Sequence, residues 1–220
     1  MARTSKARGT GREALSRESI LRAAICVADA DGLDAVTMRR VGQALGVEAM
    51  SLYNHVPGKA ALLDGVADTL IAEIEAAPAG TEWKAAIRMQ ALSARAILLR
   101  HPWAEELFAR QVGVSVTLMR YLEDIAGHLL GGGLSSQLAH TTVHVLGSRI
   151  LGFSRDIFDP EARRFPVAIE TALLQGEYPH SARIIAEATH DPDVEFAFGL
   201  DLILDGLERA RDVELRVGSD

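Results

Sequence analysis

The chain is 220 residues long, 48% hydrophobic and 24% charged, with a net charge of −7. This composition excludes a chain disordered throughout, and the length suits one ordinary domain or a small one joined to a larger. No apolar run approaches the ~18 residues of a membrane span, and no apolar stretch follows Met1-Ala-Arg-Thr-Ser-Lys to make a secretory signal, so a cytoplasmic protein is expected.

Residues 1–15 are rich in Arg, Gly, Ser and Thr without apolar periodicity, which predicts a flexible basic arm. Ser16 offers an N-cap, Glu18 sits in the first turn, and Ile20, Leu21, Ala24, Val27 and Ala28 recur at helical spacing up to Gly32. Cys26 is the sole cysteine, which excludes an internal disulfide and a cysteine zinc site; it is expected in the core. Thr37 can cap a short second helix that buries Val41, Ala44 and Leu45 and stops at Gly46. A third helix is expected from about Glu48 to Val56, broken by Pro57-Gly58. A longer one follows, marked by Leu62, Leu63, Val66, Leu70, Ile71 and Ile74.

The 3.6-residue period continues. Trp83, Ile87, Leu92, Ala96 and Leu99 outline a fifth helix ending at His101-Pro102, and Trp103, Leu107 and Phe108 a sixth. Val116, Met119, Leu122, Ile125, Leu129 and Leu130 outline a seventh, closed by Gly131-Gly132-Gly133. That triplet lacks a preceding strand and a following Lys-Ser/Thr, so it is a helix end rather than a phosphate loop. Leu134 to Phe158 is expected as an eighth helix, followed by a loop-rich region over 159–179 with a weak helical segment around 167–174, and then a short helix over 181–188. Asp191-Pro192-Asp193 then starts a last helix through about Arg211. No segment alternates like a strand, so the fold class is all-α.

Charge is unevenly spread. Through Ala60 there are nine basic residues against six acidic, a surplus of three positive charges, so the remainder carries −10. A basic head on an acidic body suits a polyanion at one end, although a solvated basic tail has the same signature.

The two short helices joined by Leu45-Gly46-Val47 are the most informative feature. Two helices that cross steeply need a small residue at the contact (Gly42), a glycine in the turn (Gly46) and an apolar lock, here Val41, Leu45, Val47, Leu52 and Val56. With the lock inward, Ala49, Met50, Ser51, Tyr53, Asn54 and His55 face outward. Asn and Ser can hydrogen-bond base edges, Met and Ala can touch a thymine methyl, and Tyr, His and Lys59 can reach phosphates. Pattern alone leaves an ordinary αα corner open.

From Gly32 to Val66, the Leu-Gly-Val, Leu-Tyr-x-His-Val and Lys-x-x-Leu-Leu elements stand in the order that resembles the DNA-binding head of TetR-type transcriptional regulators. Trp83, Leu98 to Trp103, Glu195 to Leu200 and Leu204 to Leu207 are similar to the tetracycline-repressor-type regulatory body. The resemblance implies a helix-turn-helix domain over 16–60 and a helical effector-binding and dimerisation domain over 61–220. It implies that Thr37, Tyr53, His55 and Lys59 hold the DNA backbone and that Arg39, Ala49, Met50, Ser51 and Asn54 face bases. It also implies a repressor released from a palindromic operator by a small apolar or amphipathic effector, with Trp103, Phe108, Met119, Leu122, His144 and Ile150 as candidate effector contacts. Small residues Gly147, Ser148 and Gly152, with Phe196, Gly199, Leu200, Ile203, Gly206 and Leu207 on the last helix, are expected at a four-helix interface of a homodimer. No cofactor is implied beyond the effector.

Two rivals come from other classes. His140 and His144 have metal-ligand spacing, but no Glu follows His140 and no third ligand is evident; with no catalytic fingerprint elsewhere, an enzyme is not expected. A helical scaffold for protein partners is the other alternative.

Overall fold

The computed structural model describes residues 14–111, 113–152, 166–189 and 191–217. Among them every regular element is helical. The elements are α1 (Arg17–Asp31), a 3₁₀ turn (Leu33–Ala35), α2 (Met38–Leu45), α3 (Ala49–Leu52), α4 (Lys59–Ala72), α5 (Trp83–Arg100), α6 (Ala104–Arg110), α7 (Val116–Gly131), α8 (Ser136–Gly152), α9 (Val167–Leu174), α10 (Pro179–Glu187) and α11 (Pro192–Val217). They form two compact units, residues 1–74 with 100–121, and residues 75–99 with 122–220.

In the first unit, α1 starts on a reciprocal cap. Ser16 Oγ accepts the Ser19 N–H at 3.1 Å while Ser19 Oγ accepts the Ser16 N–H at 2.9 Å, satisfying two donors a helix start leaves orphaned. The expected stripe of Ile20, Leu21, Ala24, Val27 and Ala28 is buried. Cys26, expected in the core, is exposed, because it falls on the opposite side of the helix from that stripe. Gly65 lets α4 approach α1 closely: a Cβ there would lie 2.7 Å from the Leu21 side chain.

Thr37 caps α2 by accepting the Arg40 N–H at 3.1 Å. Met38, Val41 and Gly42 are buried and Leu45 half-buried, a stripe that leaves Ala44, expected inside, exposed on the flank. The third helix is shorter than expected. Regular α-helix ends at Leu52, and residues 53–55 continue as tight turns, with the Tyr53 N–H bonded to Met50 O at 3.3 Å and the His55 N–H to Leu52 O at 2.9 Å. Val56 precedes Pro57, whose ring disfavours α geometry at the residue before it.

The second unit is built on α5, the part of α7 from Leu122 onward, α8 and α11. The buried stripe of α5 is Trp83, Ala86, Ile87, Gln90, Ala91, Ala94, Ile97 and Leu98; Ala96 and Leu99, expected in it, lie exposed on the adjoining face. Gly131-Gly132-Gly133 is a helix end. Gly133 is left-handed (φ 83°), the Leu134 N–H returns to Leu129 O at 3.2 Å, and a Cβ on Gly132 would overlap the Trp83 ring. Helix α8 is described to Gly152, and the expected stretch 153–158 lies outside the described residues. Asp191 caps α11, accepting the N–H groups of Asp193 and Val194 at 3.0 and 3.1 Å. No Gly or Pro interrupts the chain between Arg211 and Val217, and the helix runs to Val217 rather than stopping at Arg211. Phe196 and Leu200, expected against a second copy, are fully buried in their own unit, because the i, i+4, i+8 stripe they share with Leu204 faces its core. Phe196 lies under two guanidiniums, Arg95 at 4.8 Å and Arg149 at 5.2 Å from its ring centre. Burial, with the neighbouring charge of Arg95, lowers the Arg149 pKa.

Candidate nucleic-acid interface

The helix-turn-helix is shaped by two glycines with different tasks. Gly46 adopts φ 66°, ψ 35°, and the Val47 N–H bonds back to Gly42 O at 2.9 Å while the Gly46 N–H bonds to Gln43 O at 3.1 Å. This pair of bonds satisfies carbonyls that α2 leaves open at its end, and the left-handed residue turns the chain sharply into α3. Gly42 permits the contact: a Cβ there would lie 2.9 Å from Val47 O and 3.3 Å from Ala49 Cα, against backbone rather than a pliable side chain. Leu52 and Val56 are fully buried beneath, so the other side of the α3 segment faces out.

That outer side carries the residues expected from the sequence. Met50 is 74% exposed and Tyr53 45% exposed; Asn54, His55 and Lys59 are exposed, and Ala49 and Ser51 are half-buried. Thr37 and Arg39 are exposed at the start of α2. The Thr37 hydroxyl oxygen serves as cap acceptor, which leaves its O–H to donate. Arg40, adjacent to Arg39, is instead held by Asp31 at 2.8 Å. Lys59 is the first residue of α4, where the positive end of the helix adds to its own charge. Together they present a protruding, methyl-bearing and hydrogen-bonding ridge flanked by cations, the combination that duplex base edges and phosphates demand.

The six candidate effector residues are spread over the two units: Trp103, Phe108 and Met119 in the first, Leu122, His144 and Ile150 in the second. The Trp103 indole N–H is engaged by Asp29 Oδ1 at 2.7 Å. Phe108, Leu122 and Ile150 are half-buried, Met119 is 53% exposed, and His144 is exposed with its ring 4.7 Å from that of His140. A cavity of about 490 Å³ in the first unit, lined among others by Leu63, Leu107 and Val114, includes none of the six. Sequence reasoning missed this cavity and the Asp29–His101–Trp103 cluster, in which Asp29 lies more than seventy residues from the other two and leaves no periodic signal. Among the described residues, no group of three or more His, Cys, Asp or Glu is placed to hold a metal, and no helix is long and apolar enough to cross a membrane.

Comparison with known proteins agrees with this geometry. Residues 20–66 match the family described as bacterial regulatory proteins, tetR family, and residues 77–211 match the tetracyclin repressor-like C-terminal domain. The chain is 32% identical over 211 residues to the HTH-type transcriptional repressor DrrR1 of Streptomyces coeruleorubidus, covering 88% of this chain and 77% of that protein. It is 39% identical over 90 residues to the class D tetracycline repressor protein of Escherichia coli, covering 40% of this chain and 41% of that one. Among solved structures, apo ActR from Streptomyces coelicolor superposes with a TM-score of 0.73 at 25% identity, over 91% of this chain and 98% of that chain. ActR in complex with actinorhodin superposes with a TM-score of 0.71 at 25% identity, over 90% and 98%. The chain thus belongs to the tetR family of bacterial regulatory proteins, and it is a ligand-responsive, DNA-binding transcriptional repressor rather than an enzyme.

Proposed function

We propose that two copies of this chain bind a palindromic operator in the cytoplasm and leave it when a small apolar or amphipathic effector enters the helical body. In this reading residues 16–60 contact DNA and residues 61–220 bind the effector and dimerise. Thr37, Tyr53, His55 and Lys59 hold phosphates, while Arg39, Ala49, Met50, Ser51 and Asn54 meet base edges. The observation that carries the reading is the Gly42–Gly46 geometry, which braces the exposed ridge of Met50 and Tyr53 over a fully buried Leu52.

One head covers one half-site, so a twofold pair is what gives such a motif affinity for a palindrome. Apolar residues left outside on α8 and α11, Val145 at 42%, Phe198 at 64% and Leu202 at 53% exposure, support these helices as the shared surface. For the effector, support comes from relatives. ActR has been solved with actinorhodin, and a TetR variant from Acinetobacter baumannii with minocycline. Trp103, Phe108, Met119, Leu122, His144 and Ile150 are the proposed contacts. Effector binding favours a conformer in which α4 swings and changes the spacing of the two heads.

The test is selection of bound duplexes from a random pool, followed by anisotropy titration of the selected site at several salt concentrations and in the presence of candidate effectors. The expected result is a palindrome, a steep linear fall of log affinity with log salt, and a dimer by sedimentation. A folded monomer at micromolar concentration, or binding indifferent to salt and sequence, would falsify the assignment.

A further inference from the structure

The cavity of about 490 Å³ in the first unit lies between α4, α6 and the segment leading into α7. Its volume is within the range of small-molecule sites, and Ala60, Leu63, Leu107 and Val114 give it an apolar lining. Gln111, Gly113 and Ser115 also border it, and the charged residues of the lining are Asp64 and Arg110, whose circumstances differ. Arg110 is already balanced: its guanidinium meets Asp34 Oδ1 at 3.3 Å and pairs also with Glu106. The negative charge of Glu106, with the bond to Asp34, raises the Arg110 pKa. Asp64 has only a neutral donor, Gln111 Nε2 at 3.2 Å, and among the described residues no cation within ion-pair distance. Asp34 and Glu106 therefore serve the guanidinium, while Asp64, an exposed carboxylate, borders the apolar hollow without a cation.

We propose that this cavity is a binding site for a monocationic amphiphile, an ammonium group on an apolar body, with the ammonium at Asp64 and the body against Leu63, Leu107 and Val114. The ligand competes with Gln111 for the Asp64 carboxylate, and so loosens a link between the end of α6 and α4. An anion of the same shape meets the Asp64 carboxylate with no free cation to offset it, since Arg110 is held by Asp34 and Glu106, and is refused. The site involves none of the six body residues proposed above for the effector.

Calorimetric titration of the full-length chain with naphthylmethylammonium, naphthylmethanol and naphthoate tests this. The ammonium is expected to bind at least about fivefold more tightly than the alcohol, and the naphthoate more weakly than either. Asp64→Lys is expected to reverse the order of ammonium and naphthoate, Asp64→Glu to keep it, and Asp64→Asn to bring ammonium and alcohol together. Equal binding of the three probes by the unmodified chain, no uptake at about millimolar ammonium, or an Asp64→Lys variant that keeps the original order overturns the proposal. The measurement uses no DNA, so its failure is distinguishable from failure of the operator-binding reading.

Discussion

His101 Nδ1 lies 2.6 Å from Asp29 Oδ1, the same oxygen that accepts the Trp103 indole N–H at 2.7 Å. One carboxylate on α1 therefore holds the segment that joins α5 to α6, and His101 is 6% exposed. Asp29→Ala leaves a buried ring nitrogen and an indole N–H without their partner. We expect a loss of about 1–3 kcal/mol of stability, read as a lower urea midpoint at unchanged slope. The fluorescence of Trp103 should shift in the folded state, since its N–H exchanges a carboxylate for water.

The turn between α2 and α3 makes a sharper demand. Gly42→Val places a branched side chain where even a Cβ would be 2.9 Å from Val47 O. Relief requires the two helices to part, at about 1–3 kcal/mol. Operator affinity should fall further than that of an exposed control such as Gln43→Ala, because the α3 ridge is re-aimed as well as destabilised. Circular dichroism melts alongside binding isotherms separate the two effects.

Phosphate and base contacts leave different signatures. Lys59→Ala should weaken binding to all duplexes alike and reduce the log affinity–log salt slope by about 2, about 1 for each of the two copies. Met50→Ala should leave the slope unchanged and relax preference at one or two positions of each half-site, as seen by repeating the selection with the variant.

On the surface of the second unit, Lys84 Nζ reaches Asp205 at 2.6 Å and Glu208 at 2.9 Å. Its hydrogen bonds to Asp205 and then Glu208 raise its pKa above the usual 10.5, and its hydrogen bond and charge lower that of Asp205 below the usual 3.8. The raised lysine contributes stability that is complete below pH 10.5 and lost as pH climbs through its folded value. The depressed carboxylate contributes stability that is complete above pH 3.8 and lost as pH drops through its folded value. The Tm difference between the unmodified chain and Lys84→Met should therefore be flat between these limits, close at both extremes, and shrink in high salt.

Local rules made the head and the start of α11 legible. Ser16, Thr37 and Gly46 in the head, and Asp191 before α11, act where their side chains or φ angles require, and the buried stripe of α1 follows its period. What one dimension hid was the direction a face takes when several are apolar. On α5, Ala96 and Leu99 keep a helical period as well as Trp83, Ile87 and Leu98, and only tertiary packing decides which row is covered. On α11 two rows compete, and Phe196 and Leu200 turn inward while Phe198 and Leu202 stay outside. Polar couplings such as Gln111–Asp64 depend on chain segments brought together by folding, so no local pattern announces them.

Cys26 gives the native chain an experimental handle. A lone thiol, outward on a helix of the head, accepts a maleimide dye or nitroxide without an engineered cysteine or the removal of others. In any twofold assembly the two labels report the head-to-head distance directly, so operator and effector can each be added while that distance is watched.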